Sequence, residues 1–115
     1  MNNSPKYRVI ITDYFSHQFK KLAKKDAKLI ANLREALRNF SKQKAIFIGS
    51  KVYKIRIVGQ GKGKSGGYRV YLLLLEINGV IAPVHIYSKN STNTLTIKEI
   101  TYSLQRTKEE LVSFL

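Results

Sequence analysis

The sequence predicts an α+β fold, and three observations carry that prediction. Apolar residues recur at helical spacing between Phe15 and Phe40. From Val52 the period switches to alternation, and the alternating segments follow one another without an intervening helix. Finally, Thr96-Ile97-Lys98-Glu99 has the pattern of a capping box that opens a last helix. The expected order is β-α-α-β-β-β-α: an N-terminal strand and helical hairpin, a three-stranded antiparallel meander and a C-terminal helix. Helices are expected on one face of the sheet, with the other face partly open.

Tyr7 to Ile11 reads as a short strand, after which Thr12 and Asp13 can cap a helix carrying Phe15, Phe19 and Leu22. A second cap signal stands at Asp26. Beyond it Ile30, Leu33, Leu37 and Phe40 form one apolar stripe, while Lys28, Arg34, Glu35 and Arg38 can face water. Val52 to Val58 is β-branched and alternating, with Tyr53, Ile55 and Ile57 on one side and Lys54 and Arg56 on the other. A glycine-rich stretch, Gly59 to Gly67, leads into the strand Tyr68 to Ile77. Asn78-Gly79 then predicts a two-residue hairpin into Val80 to Tyr87. The last helix continues from Thr96 through Ile100, Leu104 and Leu111.

The chain has 115 residues, enough for one modest core, so residues 1–115 are read as one domain. Its charge is the unusual property. Twenty-one Lys and Arg face seven Asp and Glu, a formal net charge of +14 that predicts attraction to polyanions, nucleic acid first. No carboxylate lies between Glu35 and Glu76, whereas Lys42, Lys44, Lys51, Lys54, Arg56, Lys62, Lys64 and Arg69 all fall there. There is no cysteine, which excludes disulfide scaffolds, thiolate zinc sites and cysteine nucleophiles. Neither a signal-peptide core nor an apolar run long enough to cross a bilayer is present, so a cytoplasmic protein without a membrane partner is expected.

Alternation also says which side chains share the uncovered face. If Lys54 and Arg56 point outward, hairpin pairing without a bulge places Arg69, Tyr71, His85, Tyr87 and Lys89 beside them. Such a face suits a phosphodiester and exposed bases. A solvated outer face would normally mix both charge signs, and this one does not. His85 taken alone fits packing or hydrogen bonding better than chemistry.

The glycine stretch is not a nucleotide-binding loop of the Walker type, because the residue five before Gly63 is Val58 and Gly67-Tyr68-Arg69 opens a strand, not a helix. It does offer backbone N–H groups and the cations Lys62 and Lys64 to a phosphate. The histidines and carboxylates show no ligand spacing, so neither a metal nor a small-molecule cofactor is expected. RNA carries its own nucleophile, the 2′-OH; an enzyme needs to align it, stabilise charge on phosphorus oxygens and move two protons.

Three separated segments, Val52-Tyr53-Lys54-Ile55-Arg56, Gly61 to Val70 with its Gly-Lys-Gly-Lys-Ser-Gly-Gly-Tyr-Arg core, and Tyr87-Ser88-Lys89-Asn90, resemble the RelE/HigB-like toxins of the RelE/ParE superfamily. The similarity runs through most of the chain. It implies a RelE/ParE-like fold and a type II toxin that cleaves mRNA, usually on the ribosome, leaving a 2′,3′-cyclic phosphate and a 5′-hydroxyl. It further implies a cognate antitoxin, acidic or of helix-turn-helix type. Arg69 matches the family arginine that stabilises the scissile phosphate, Lys54 and Arg56 match its paired basic strand residues, and Lys89 takes the late basic position. With Lys64 from the glycine stretch, the catalytic set is Arg69, Lys89, Arg56 and Lys64; Lys54, Lys62, Tyr68, Tyr71, Tyr87 and His85 are expected to contact RNA. The family's C-terminal aromatic or histidine has no clear match, Tyr102 being the only aromatic residue of that segment before Phe114.

Two alternatives remain at this level. A ParE-like toxin that poisons DNA gyrase has a similar architecture, and a non-catalytic RNA-binding or ribosome-associated module fits the charge and the aromatic residues equally.

Overall fold

A computed structural model describes residues 7–59, 67–90 and 95–115. The strand β1 (Arg8–Val9) is followed by the helices α1 (Asp13–Ala23) and α2 (Leu29–Arg38). The strands β2 (Ile46–Gly49), β3 (Val52–Ile57), β4 (Tyr68–Leu75) and β5 (Val80–Ser88) come next, and α3 (Ile97–Leu111) closes the fold. They form one five-stranded sheet in the order β1-β5-β4-β3-β2, antiparallel except for β1, which runs parallel to β5. The α+β class and the predicted order of helices and meander are therefore observed.

α1 and α3 start where side chains occupy free backbone N–H groups of the first turn, whereas α2 has no side-chain cap of its own. The Thr12 hydroxyl accepts from the Phe15 N–H at 3.1 Å. The Glu110 carboxylate of α3 adds a second cap to α1 from across the fold, accepting from the N–H groups of Asp13 at 2.6 Å and Tyr14 at 2.9 Å. Asp26 accepts from the Lys28 N–H at 3.1 Å, just before α2. On α3 the capping box is complete: Thr96 Oγ accepts from Glu99 N–H and Glu99 Oε1 from Thr96 N–H.

Both faces of the sheet are packed. α1 and α2 lay Phe15, Phe19, Leu29, Leu33 and Leu37 against Val70, Leu72 and Leu74. On the opposite face Leu95 and Leu111, with Ile100 and Leu104, cover Leu73, Val80, Ala82 and Val84. This explains the run Tyr71-Leu72-Leu73-Leu74, which does not alternate because β4 is central and buried on both sides.

Four expectations need correction. The antiparallel part has four strands, since β2 adds an edge to β3 through pairs such as Phe47 with Tyr53. Leu29, fully buried, takes the place in the α2 stripe expected of Ile30, which is 47% exposed. The β4–β5 connection has four residues: Leu75 pairs with Val80, and Gly79, at φ 65°, donates to the Glu76 carbonyl. Finally, the second sheet face is less open than expected, because α3 covers its β5 side.

Candidate nucleic-acid interface

β3 and β4 set out the basic side chains in register. Arg56 pairs with Arg69 and Lys54 with Tyr71 on the neighbouring strand. One strand further, Arg69 pairs with Tyr87 and Tyr71 with His85. Six predicted residues thus share one face in two rows, Lys54–Tyr71–His85 and Arg56–Arg69–Tyr87. A bulge does occur in β5, at Val84 next to Pro83, which cannot donate to a ladder. It leaves the six on a common face because His85 and Tyr87 lie on the same side of it.

The cations converge further. Lys54, Arg56 and Arg69 line a cleft of ≈ 470 Å³ together with Lys44, Asn39 and Ser41, beside the half of β3 that β2 does not cover. Arg56 is exposed, Lys54 and Arg69 partly so. β3, β4 and β5 contain no acidic residue, so nothing on the strands neutralises the row. Lys44 and Asn39 were not predicted. Their side chains come from the end of α2 and the turn after it, and the only sequence signal was Lys44's place in the carboxylate-free stretch.

The tyrosines lie beneath this surface. Tyr71 and Tyr87 are 2% and 6% exposed and stack with ring centroids 6.2 Å apart. The Lys54 ammonium sits over the Tyr71 ring at 5.9 Å. They therefore support the cations and present no free ring to a base, a correction that follows from α3 and Leu95 closing over this part of the sheet. The Tyr87 hydroxyl is buried with no hydrogen-bond partner among the described residues. Burial first, then the adjacent Tyr71, push its phenol up to about 12, against the pull of Arg69. Tyr87 is thus a neutral phenol near pH 7.

Tyr68 is a further correction. Alternation turns it away from Arg69 and into the helical core, where its hydroxyl donates to Asp26 Oδ2 at 3.1 Å. Burial, followed by Asp26, raises its phenol above the ordinary range. Only its carbonyl serves the basic face, accepting from Arg69 Nη1 at 3.2 Å.

His85 is partly buried between α1 and α3. Its Nδ1 lies 3.2 Å from Gln18 Nε2 and 2.9 Å from Ser103 Oγ, which in turn meets the Tyr14 hydroxyl at 2.8 Å. The Gln18 Nε2 amino group faces Nδ1, which suits Nδ1 as the acceptor of that contact. Desolvation lowers the pKa of the ring, with Glu99 opposing. Lys89 begins just beyond β5, its N–H donating to the Gly67 carbonyl at 2.9 Å. Lys62 and Lys64 lie outside the described residues.

Fold and site together define a small α+β protein with a cation-rich cleft on its sheet. A family model described as "RelE toxin of RelE / RelB toxin-antitoxin system" matches residues 7–113. The chain belongs to this RelE toxin family, and membership of a toxin–antitoxin family implies a cognate antitoxin. Among solved structures it is similar to E. coli toxin RelE in the free state, a mutant with two arginines replaced by alanine. That likeness has a TM-score of 0.55 and 16% identity and covers 88% of this chain and 97% of the other, which establishes the fold. No curated protein matches the sequence significantly. Among the described residues no helix is long and apolar enough to cross a membrane.

Proposed function

We propose that this toxin is a metal-independent endoribonuclease that cuts mRNA on the ribosome in the cytoplasm. The observation that carries the proposal is the convergence of Lys54, Arg56 and Arg69 in one cleft with no strand carboxylate beside them. A scissile phosphate in that cleft meets fixed positive charge, and a phosphorane gains more from it than the ground state does, because negative charge builds on its oxygens.

In this mechanism the 2′-oxygen bonds to phosphorus, the bond to the 5′-oxygen breaks, and a 2′,3′-cyclic phosphate and a 5′-hydroxyl result. The 2′-OH proton passes to a basic side chain, and an ammonium returns one proton to the 5′-oxygen. Arg69 stabilises the phosphorane and Arg56 assists it from the adjacent strand. Lys54, held over Tyr71, grips the RNA backbone, and Lys62 of the glycine stretch is assigned to the same task. Lys64 and Lys89 are assigned to proton transfer. Tyr71, Tyr87 and His85 act indirectly, by fixing the strand that carries Arg69.

The test is to incubate the protein with translating ribosomes and mRNA in the presence of EDTA, added only after the ribosomes are stabilised against magnesium loss by crosslinking, and to analyse the new ends. Cyclic phosphate ends formed with chelator present are expected. Cleavage that stops with EDTA and resumes with added metal would overturn the mechanism. No cleavage of ribosome-bound or free RNA would move the function to gyrase poisoning or RNA binding alone.

A further inference from the structure

We infer that the part of the basic cleft next to α2 is a nucleobase pocket, in which Asn39 selects adenine and cytosine over guanine and uracil. The inference deepens the ribonuclease reading and rests on it for the RNA that brings a base there. The cleft is not cationic throughout. Lys54, Arg56 and Arg69 enter it from β3 and β4, and Lys44 adds a cation from the turn after α2. The rest of the lining is Ala36, Phe40, Ala45, Ile46 and Ile55, joined by the neutral side chains of Asn39 and Ser41. Ile46, first residue of the edge strand β2, is 59% exposed. A phosphate gains nothing from such an apolar wall. A base does, because its flat faces pack against apolar groups while its edge seeks hydrogen bonds.

Asn39 supplies the selection. Its Nδ2 donates to Glu35 Oε1 at 3.0 Å. A carboxylate only accepts, so this contact fixes which way round the amide stands and leaves Oδ1 as the atom offered to a ligand. Adenine and cytosine carry an amino group where guanine and uracil carry a carbonyl oxygen. The amino group donates to Oδ1, whereas the carbonyl sets acceptor against acceptor. A donor for the neighbouring ring nitrogen comes from β3. The Lys51 carbonyl accepts from the Leu74 N–H at 2.9 Å, so the peptide groups of Lys51, Tyr53 and Ile55 face β4 and those of Val52, Lys54 and Arg56 face the other way. β2 begins at Ile46, opposite Lys54. The Arg56 N–H is therefore turned to the stretch of edge that β2 does not reach, where the cleft lies.

Adenosine 3′,5′-bisphosphate and inosine 3′,5′-bisphosphate test it, because they differ only at this edge of the base, amino in one and carbonyl in the other. Titrated into the isotopically labelled full chain, the adenosine compound is expected to shift the amide resonances of Ala36, Asn39 and Ala45 together with those of Arg56 and Arg69. It should bind at least about fivefold more tightly than the inosine compound, as one ordinary hydrogen bond allows. Asn39→Leu, which has no acceptor, should bind the two equally. Asn39→Asp keeps an acceptor oxygen and should keep the preference, with both affinities lowered by its charge. Ile46→Ser should weaken both nucleotides alike by removing part of the wall. Asn39 and Ile46 are exposed, and circular dichroism checks that the variants fold.

Equal affinity of the wild type for the two nucleotides, binding of neither, shifts confined to Lys54, Arg56 and Arg69, or a preference that survives Asn39→Leu would each overturn the inference. If the adenosine compound binds as described but the wild type cuts no RNA, the ribonuclease proposal falls and a base-reading RNA binder stands. If the wild type cuts RNA but does not distinguish the two nucleotides, the pocket alone falls.

Discussion

Replacing Tyr68 by Phe separates a packing role from an RNA-contacting one. The ring sits in the helical core at 7% exposure, and Phe fills the same space, so no cavity forms. What is lost is the hydroxyl that donates to Asp26 Oδ2 at 3.1 Å, with the carboxyl itself 3% exposed. Depriving a buried carboxyl of one donor costs about 2 kcal/mol, within the usual range for a buried polar group left short of a partner. For a chain of this size that is a fall in Tm of roughly 8 °C. Thermal unfolding followed by circular dichroism reads the shift. RNA cleavage, measured well below the transition, should be within about twofold of wild type, because the Tyr68 carbonyl that accepts from Arg69 is unchanged. An unaltered Tm together with lost cleavage would refute the placement of Tyr68 in the core.

Glycine substitutions should divide sharply. A Cβ at Gly67, where φ is +86°, would lie 2.4 Å from the Ile57 carbonyl oxygen, so Gly67→Ala is expected to yield little folded protein; at Gly79, φ +65° with open space around it, the same change should cost only about 1 kcal/mol by chemical denaturation. Because burial lowers the folded-state pKa of His85 below its ordinary 6.5, the unfolded chain binds a proton that the folded one refuses. The stability held above pH 6.5 should therefore fall on acidification from that value towards the folded pKa, and urea titrations across this window should show a shallower slope for His85→Gln.

Much of the fold could be read from the sequence where one local signal dominated. Thr12, the Thr96 capping box and the alternation of Val52 to Ile57 are such signals, and each element stands where it was expected. β2 gave none. Its four residues at the sheet edge are mostly exposed on both sides, and it turns into β3 through Ser50 and Lys51 at positive φ, where glycine or asparagine would ordinarily mark the bend. The choice of Leu29 over Ile30 depended on how α2 rolls against the sheet, which spacing alone leaves one residue uncertain.

The candidate site followed the same division. Register put Lys54, Arg56 and Arg69 on one face, as alternation requires. That same alternation, applied to Tyr68, sends it to the core; its assignment to RNA came from standing beside Arg69 in the Gly-Tyr-Arg segment. Tyr71 and Tyr87 were placed on the correct face, but their burial depends on α3 folding over that face, a long-range contact that no local pattern records.

The central claim is that fixed charge in the basic cleft breaks the RNA backbone, and Arg69→Ala tests it most directly. Cleavage rate on translating ribosomes should be compared among the wild type, Arg69→Ala and Arg8→Ala, a β1 cation outside the cleft. The account predicts that Arg69→Ala slows cleavage at least about a hundredfold at unchanged Tm, as removal of a transition-state donor does, while Arg8→Ala cuts at the wild-type rate. Wild-type cleavage by Arg69→Ala, or equal loss in both variants, would contradict it.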